Sequence, residues 1–176
     1  LESLSPERRR LLAMRLRGKA PETAASDLWF PSCAVPADAA SRLFLFPAAG
    51  GGTSAFRGWA GAFPLDVAVC PARLPGRESR QSETAFRRMD ALVNAAGEAI
   101  LPHLDRPFVF FGHSMGAAVG FELTRWLRKR GARLPDTLLV SGARAPRFRL
   151  GQVPLPAPTA EELLRQLDRL EGVPVV

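Results

Sequence analysis

The sequence predicts an α/β layer fold built on a mainly parallel sheet. Three observations carry that reading. From Arg42 onward, short apolar runs alternate with segments of helical periodicity. One run, Phe108-Val109-Phe110-Phe111, is unbroken, as expected of a strand buried on both faces. It leads straight into Gly112-His113-Ser114-Met115-Gly116, the G-x-S-x-G pattern that turns a strand sharply into a helix and presents a serine at the bend.

Element by element, Leu43 to Phe46 is expected as a strand, Thr53 to Phe63 as helical and Asp66 to Cys70 as a strand. Phe86 to Leu101 follows as an amphipathic helix with Phe86, Met89, Val93, Ala96 and Ile100 on its apolar face. Pro107 to Phe111 is the strand before the serine. After it, Met115, Ala118, Val119, Leu123, Trp126 and Leu127 recur every three or four residues, so a helix runs from Met115 to Arg130. Arg128, Lys129 and Arg130 complement its dipole, and Gly131 stops it. Thr137 to Val140 is a further strand, Ala145 to Pro158 a proline-rich loop, and a last helix opens at Thr159 with Leu163, Leu164, Leu167 and Leu170. At the other end, Ser5-Pro6-Glu7 opens a basic helix through Arg17, and most of Lys19 to Ala40 reads as linker. The first residue is leucine, which suggests a start inside a longer polypeptide or after processing.

With 176 residues, 47% of them hydrophobic, the chain has the makings of one globular core. No apolar run approaches the length of a transmembrane helix, and Arg15 and Arg17 interrupt the one stretch that resembles a signal core. The expected setting is the cytoplasm, with no membrane contact. The net charge is +7, but its arginines are scattered over all the elements and no aromatic-basic motif accompanies them, so no nucleic-acid partner is expected. Cys33 and Cys70 lack metal-ligand spacing and companions for a disulfide framework, and read as reduced thiols.

The chemistry starts at Ser114. Its flanking Gly112 and Gly116 leave room for a strained backbone and an approaching carbonyl, with His113 the intervening elbow residue. A serine attacking a carbonyl needs donors for the developing oxyanion. Met115 opens the helix and supplies one backbone N–H; the second is expected from the glycine-rich run after the first strand, at Ala49 or, as the alternative, Ala48. Serine also needs a base. The sequence has two histidines: His113 is adjacent and projects away, and His103 ends the helix before the elbow strand, more than ~15 Å off at the opposite edge of the sheet. Neither fits, and Asp66 and Asp136 precede their strands, whereas catalytic groups gather at the carboxyl ends.

Several motifs together resemble type II thioesterases, the α/β-hydrolase partners of nonribosomal peptide and polyketide synthases. They are Leu45-Phe46-Pro47-Ala48-Ala49-Gly50-Gly51-Gly52, Ser54-Ala55-Phe56-Arg57-Gly58-Trp59, Leu74-Pro75-Gly76-Arg77-Glu78-Ser79-Arg80, Asp105-Arg106-Pro107-Phe108 through Gly116, and Ser141-Gly142-Ala143-Arg144-Ala145-Pro146. An aromatic or polar residue is usual in that family where Ala48 stands.

The resemblance implies an α/β-hydrolase fold that is incomplete at its C-terminus. Residues 1–28 would form a basic helix and linker, a possible inter-module segment, and residues 29–176 a partial thioesterase domain whose lid begins near Thr159. It implies hydrolysis of acyl or peptidyl thioesters carried on the phosphopantetheine arm of a carrier protein, with no cofactor of the enzyme's own. Ser114 would be the nucleophile, Met115 and Ala49 the oxyanion donors, and Ala48, Gly50 and Arg77 would lie at the substrate. Arg77 and Glu78 stand where the pantetheine entrance would form, an intramolecular ion pair that fixes the loop being the more ordinary role. In the type II pattern the triad acid and histidine follow later strands, here beyond Val176, so this chain alone is expected to be inactive. Two other readings share the sequence: a non-catalytic remnant that binds a carrier protein, and another serine esterase or acyltransferase of the same fold.

Overall fold

The computed structural model describes residues 28–33, 38–144, 159, 161, 162 and 165. They fall into two units divided between Ala143 and Arg144. The basic helix expected near the N-terminus and the proline-rich loop lie outside the described residues.

The first unit is built on four strands, β1 (Ser41–Phe46), β2 (Val67–Pro71), β3 (Phe108–His113) and β4 (Thr137–Ser141). Every neighbouring pair is parallel and the order is β2-β1-β3-β4. Two helices complete the frame, α1 (Met89–Ile100) and α2 (Met115–Lys129). The alternation of side chains along β1 splits the core in two. Phe44 and Phe46 point to one face and meet Phe108 and Phe110 of β3 in edge-to-face contacts at 5.2–5.8 Å, each such pair contributing about 0.5–1.5 kcal/mol beyond its burial. Helices α1 and α2 cover this face with Leu92, Val93, Ala96, Ile100, Val119, Leu123 and Leu127. Leu43 and Leu45 point the other way, to a smaller cluster with Val69 and Phe56.

The helices approach closely because α1 lacks a side chain at the crossing. A Cβ on Gly97 would stand 2.7 Å from the Trp126 ring, whose Nε1 donates to Asn94 at 2.7 Å. Arg130 lies over that indole at 4.0 Å and pairs with Glu98 at 2.8 Å.

Four sequence expectations change. Thr53 to Phe63 forms two short 3-10 turns, Thr53–Phe56 and Trp59–Ala62, separated where Gly58 takes φ 83, a left-handed conformation that no continuous helix tolerates. The helix expected from Phe86 starts at Met89, because Arg88 is extended and Phe86 turns back onto the Trp29 ring at 6.2 Å. Part of the expected linker belongs to the core: Trp29, Phe30 and Cys33 are buried, with Phe30 edge-on to Phe44 at 5.3 Å. That packing also overturns the reading of two reduced thiols. It carries Cys33 onto β2, where Cys33 and Cys70 form a disulfide across Cα atoms 5.0 Å apart.

In the second unit, the helix start at Thr159 is visible as a reciprocal cap. Thr159 N donates to the Glu162 carboxylate at 2.8 Å and Glu162 N donates to Thr159 Oγ1 at 3.2 Å, while Arg165 pairs with Glu161 at 3.1 Å.

Candidate active site

All four strands point their carboxyl ends the same way, so the loops that follow β1, β2, β3 and β4 gather at one end of the sheet. Ser114 stands there between β3 and α2, half-buried, at φ 53 and ψ −112. A non-glycine residue in that conformation stores about 1–3 kcal/mol of strain, which the surroundings must hold. They do so from β4: Ser114 N donates to Ser141 O at 2.8 Å, and His113 Nδ1 lies 3.1 Å from Ser141 Oγ.

The glycines of the pattern are required by space. A Cβ on Gly112 would sit 2.2 Å from Gly116 O, and one on Gly116 would sit 1.9 Å from Phe46 O and 2.8 Å from Pro47 O. All of these are main-chain atoms that cannot swing aside. Their absence lets the first turn of α2 press against the end of β1, which sets the loop of residues 47–52 beside the elbow. In that loop Gly51 N donates to Ala48 O at 3.1 Å, closing a turn with Ala49 and Gly50 exposed at its apex. Met115 is the first residue of α2, and its N–H belongs to the helix's opening set, which has no partner inside the helix.

The loop after β2 reaches across to this turn. Arg77 Nη1 donates to Ala48 O at 3.0 Å and to Gly51 O at 2.6 Å. Glu78, at φ 47, aims its carboxylate at the next segment and accepts from Thr53 N at 3.0 Å, Thr53 Oγ1 at 2.6 Å and Ser54 N at 2.9 Å. Gly52 makes the approach possible, since a Cβ there would lie 2.3 Å from that carboxylate. Desolvation raises the Glu78 carboxyl, but the hydrogen bonds from Thr53 and Ser54 outweigh it and bring it down to about 2. Hydrogen bonds to main-chain groups and to the Thr53 hydroxyl therefore fix the loop, in place of the ion pair expected from the sequence. Arg80 secures the loop from behind: it is buried, donates to Arg73 O at 2.8 Å and to Glu83 at 2.6 Å, and lies 5.0 Å over the Trp29 ring.

Neither histidine faces the serine. His113 is exposed and turned to Ser141. His103 lies at the opposite end of the sheet, where its carbonyl accepts from Arg42 Nη1 at 2.7 Å and its ring stands edge-on to Phe30. Among the described residues no histidine nitrogen or carboxylate is hydrogen-bonded to the Ser114 hydroxyl. The structure thus gathers Ser114, Met115, Ala48, Ala49, Gly50 and Arg77 at one end. It adds Ser141, Thr53 and Glu78, of which Glu78 and Ser141 carried a sequence signal, their places in the Leu74-to-Arg80 and Ser141-to-Pro146 motifs, and Thr53 carried none.

A model of the thioesterase domain family matches residues 41–175. The chain belongs to that family. Among its relatives, the gramicidin S biosynthesis protein GrsT of Aneurinibacillus migulanus is 38% identical over 148 residues, 84% of this chain and 58% of GrsT. RedJ, the thioesterase of the prodiginine pathway in Streptomyces coelicolor, is 42% identical with a TM-score of 0.66, covering 77% of this chain and 52% of RedJ. The type II thioesterase BorB of the borrelidin biosynthetic cluster is 32% identical with a TM-score of 0.71, covering 83% of this chain and 59% of BorB. This thioesterase-family chain therefore spans a little over half the length of each of these three relatives. The family resemblance drawn from the motifs holds, and the parallel sheet with flanking helices is the α/β-hydrolase fold of these neighbours.

Proposed function

We propose that the protein is a type II thioesterase that hydrolyses acyl or peptidyl thioesters from the phosphopantetheine arm of a carrier protein, in nonribosomal peptide or polyketide synthesis. The observation that carries this reading is the strained Ser114 at the sheet's carboxyl end, with the residue 47–52 turn pressed beside it. Supporting it, RedJ is the thioesterase of a biosynthetic pathway, BorB a type II thioesterase of a biosynthetic cluster, and YbtT a type II thioesterase from a combined nonribosomal peptide and polyketide pathway. Ser114 Oγ attacks the thioester carbonyl, and the oxyanion of the tetrahedral intermediate accepts from the Met115 and Ala49 N–H groups. The arm's thiol leaves as the carbonyl reforms on serine, and water then releases the acid. Ser114 must lose its proton to a base, and because neither His103 nor His113 faces it, we place that base and its orienting acid outside this 176-residue sequence. The reading sets the protein in the cytoplasm; no described helix is long and apolar enough to cross a membrane.

The test is a carrier-bound acyl thioester presented to the protein made from its complete open reading frame. Mass spectrometry should trap an acyl adduct on Ser114 that Ser114→Ala loses while its circular dichroism is unchanged. Turnover retained by Ser114→Ala would refute the assignment. Faster hydrolysis of a matched oxygen ester than of the thioester would instead mark a general esterase. That neither His103 nor His113 faces Ser114 favours one second reading, a non-catalytic carrier-protein-binding remnant. It requires carrier binding with no adduct at all.

A further inference from the structure

The loop of residues 74–80 holds both ends of the segment that carries the second oxyanion donor. Arg77 binds the Ala48 carbonyl, and that carbonyl shares one peptide unit with the Ala49 N–H. The peptide is planar and trans, so its C=O and N–H point in opposite directions. Fixing the oxygen fixes the hydrogen. The same guanidinium nitrogen holds Gly51 O, and the Glu78 carboxylate holds the amides of Thr53 and Ser54, so the turn is gripped on both sides of its apex. Gripping by charged groups also polarises the held peptide, strengthening the donor at its other end.

We propose that Arg77 and Glu78 are positioning residues that aim the Ala49 N–H at the oxyanion, Arg77 through the Ala48 carbonyl and Glu78 through the amides at Thr53 and Ser54. The inference rests on the thioesterase reading, because it presumes Ala49 to be a donor in the transition state. The loop is suited to the task. Arg80 ties it to Arg73, Glu83 and Trp29, and Gly76 N closes it by donating to Arg80 O at 2.9 Å. Gly52 leaves open the volume the Glu78 carboxylate occupies. The grip therefore transmits the geometry of a rigid neighbour to a glycine-rich turn that has little stiffness of its own.

A group that acts only by aiming a donor changes the transition state more than the bound substrate. In the protein made from its complete open reading frame, Arg77→Met should lower kcat about 10- to 100-fold with KM moved less than about threefold, a donor displaced by an ångström or so being worth this much. Affinity for a trifluoromethyl ketone that adds reversibly to Ser114 should fall by the same factor. Affinity for a non-hydrolysable amide analogue of the thioester should hold. Arg77→Lys should recover part of the loss, since an ammonium reaches one carbonyl but not two. Glu78→Gln, which keeps an acceptor but not the charge, should fall between wild type and Glu78→Ala.

A KM rise at constant kcat would place Arg77 at the substrate and overturn the proposal. So would a loss of ketone affinity matched by equal loss of amide affinity, which marks general disorder. If Arg77→Met does not fold, Arg77→Lys and Glu78→Gln decide by the same two ratios. Ser114→Ala runs alongside: full turnover in that variant sinks the thioesterase reading itself. Its inactivity together with unchanged kinetics in Arg77→Met and Glu78→Gln sinks only this inference.

Discussion

The two ends of the sheet use the same chemical groups for opposite purposes. At the amino end, buried Arg42 pairs directly with Asp105 and donates to the carbonyls of His103 and Cys33, while Arg106 binds Asp105 at 3.0 Å and also Ala39 O. Charge meets charge, and loose segments are sewn to the strand starts. At the carboxyl end, Arg77 and Glu78 do not pair with one another; each binds main-chain groups of a neighbouring turn. There the backbone is the thing being held, and a strained serine stands beside it. The difference teaches that arginine and carboxylate content alone does not separate a structural cluster from a functional one. What they grip does.

The sharpest way to break the comparison is at the serine. Ser114→Ala in the complete protein should cost about 10⁴-fold or more in kcat, read with a carrier-bound thioester, without lowering the melting temperature. Stability there is expected to hold or rise, since an alanine loses no hydrogen bond that the described residues show. Next comes Gly116→Ala. A methyl 1.9 Å from Phe46 O must displace backbone on one side or the other, so urea denaturation should report a loss of about 3 kcal/mol. Acyl-adduct formation should fall with it, because the same movement opens the gap between elbow and turn.

At the other end the expected pattern reverses. Arg42→Met removes the buried guanidinium that donates to the carbonyls of His103 and Cys33 and should cost about 2 kcal/mol of stability. Adduct formation on the fraction that remains folded should be unchanged. Loss of adduct without loss of stability would erase the distinction between the two ends.

The smallest effect is the acid response shared by both. Hydrogen bonds from Arg42 and then Arg106 hold the Asp105 carboxyl down at about 2, as Thr53 and Ser54 hold Glu78. A carboxyl whose folded pKa lies below its unfolded value contributes stability that is complete above the unfolded value, near 3.8 for Asp105 and 4.5 for Glu78, and is lost as pH falls toward 2. Both side chains are largely exposed, so each share is modest. Asp105→Asn should flatten the fall in stability between about pH 4 and 2. It should leave the pH dependence of turnover where it was.

Local patterns made most of the fold legible. The four strands lie within two residues of their expected ends because apolar runs and their flanking breakers are short-range signals. Ser114 was legible for the same reason, since its elbow is encoded in five consecutive residues. What the sequence hid depends on partners far along the chain. Arg77 reaches residues 26 and 29 positions away and Glu78 residues 24 and 25 positions away, choices that exist only once β1 and β2 lie side by side. Cys33 was misread because Trp29 and Phe30, apolar but without periodicity, gave no sign that their segment folds onto β2. The failed helix at Thr53 turns on one glycine's φ, which periodicity does not report.

The outer margin of β4 has a practical consequence. Leu139 is 49% exposed and Val140 52% exposed on a strand paired on one side only among the described residues. An open strand with oily side chains is a template for adding another strand, from any molecule that offers one. Prepared by itself at high concentration, this polypeptide should self-associate through that margin, visible as light scattering that grows with concentration. Replacing Val140 with lysine should suppress it.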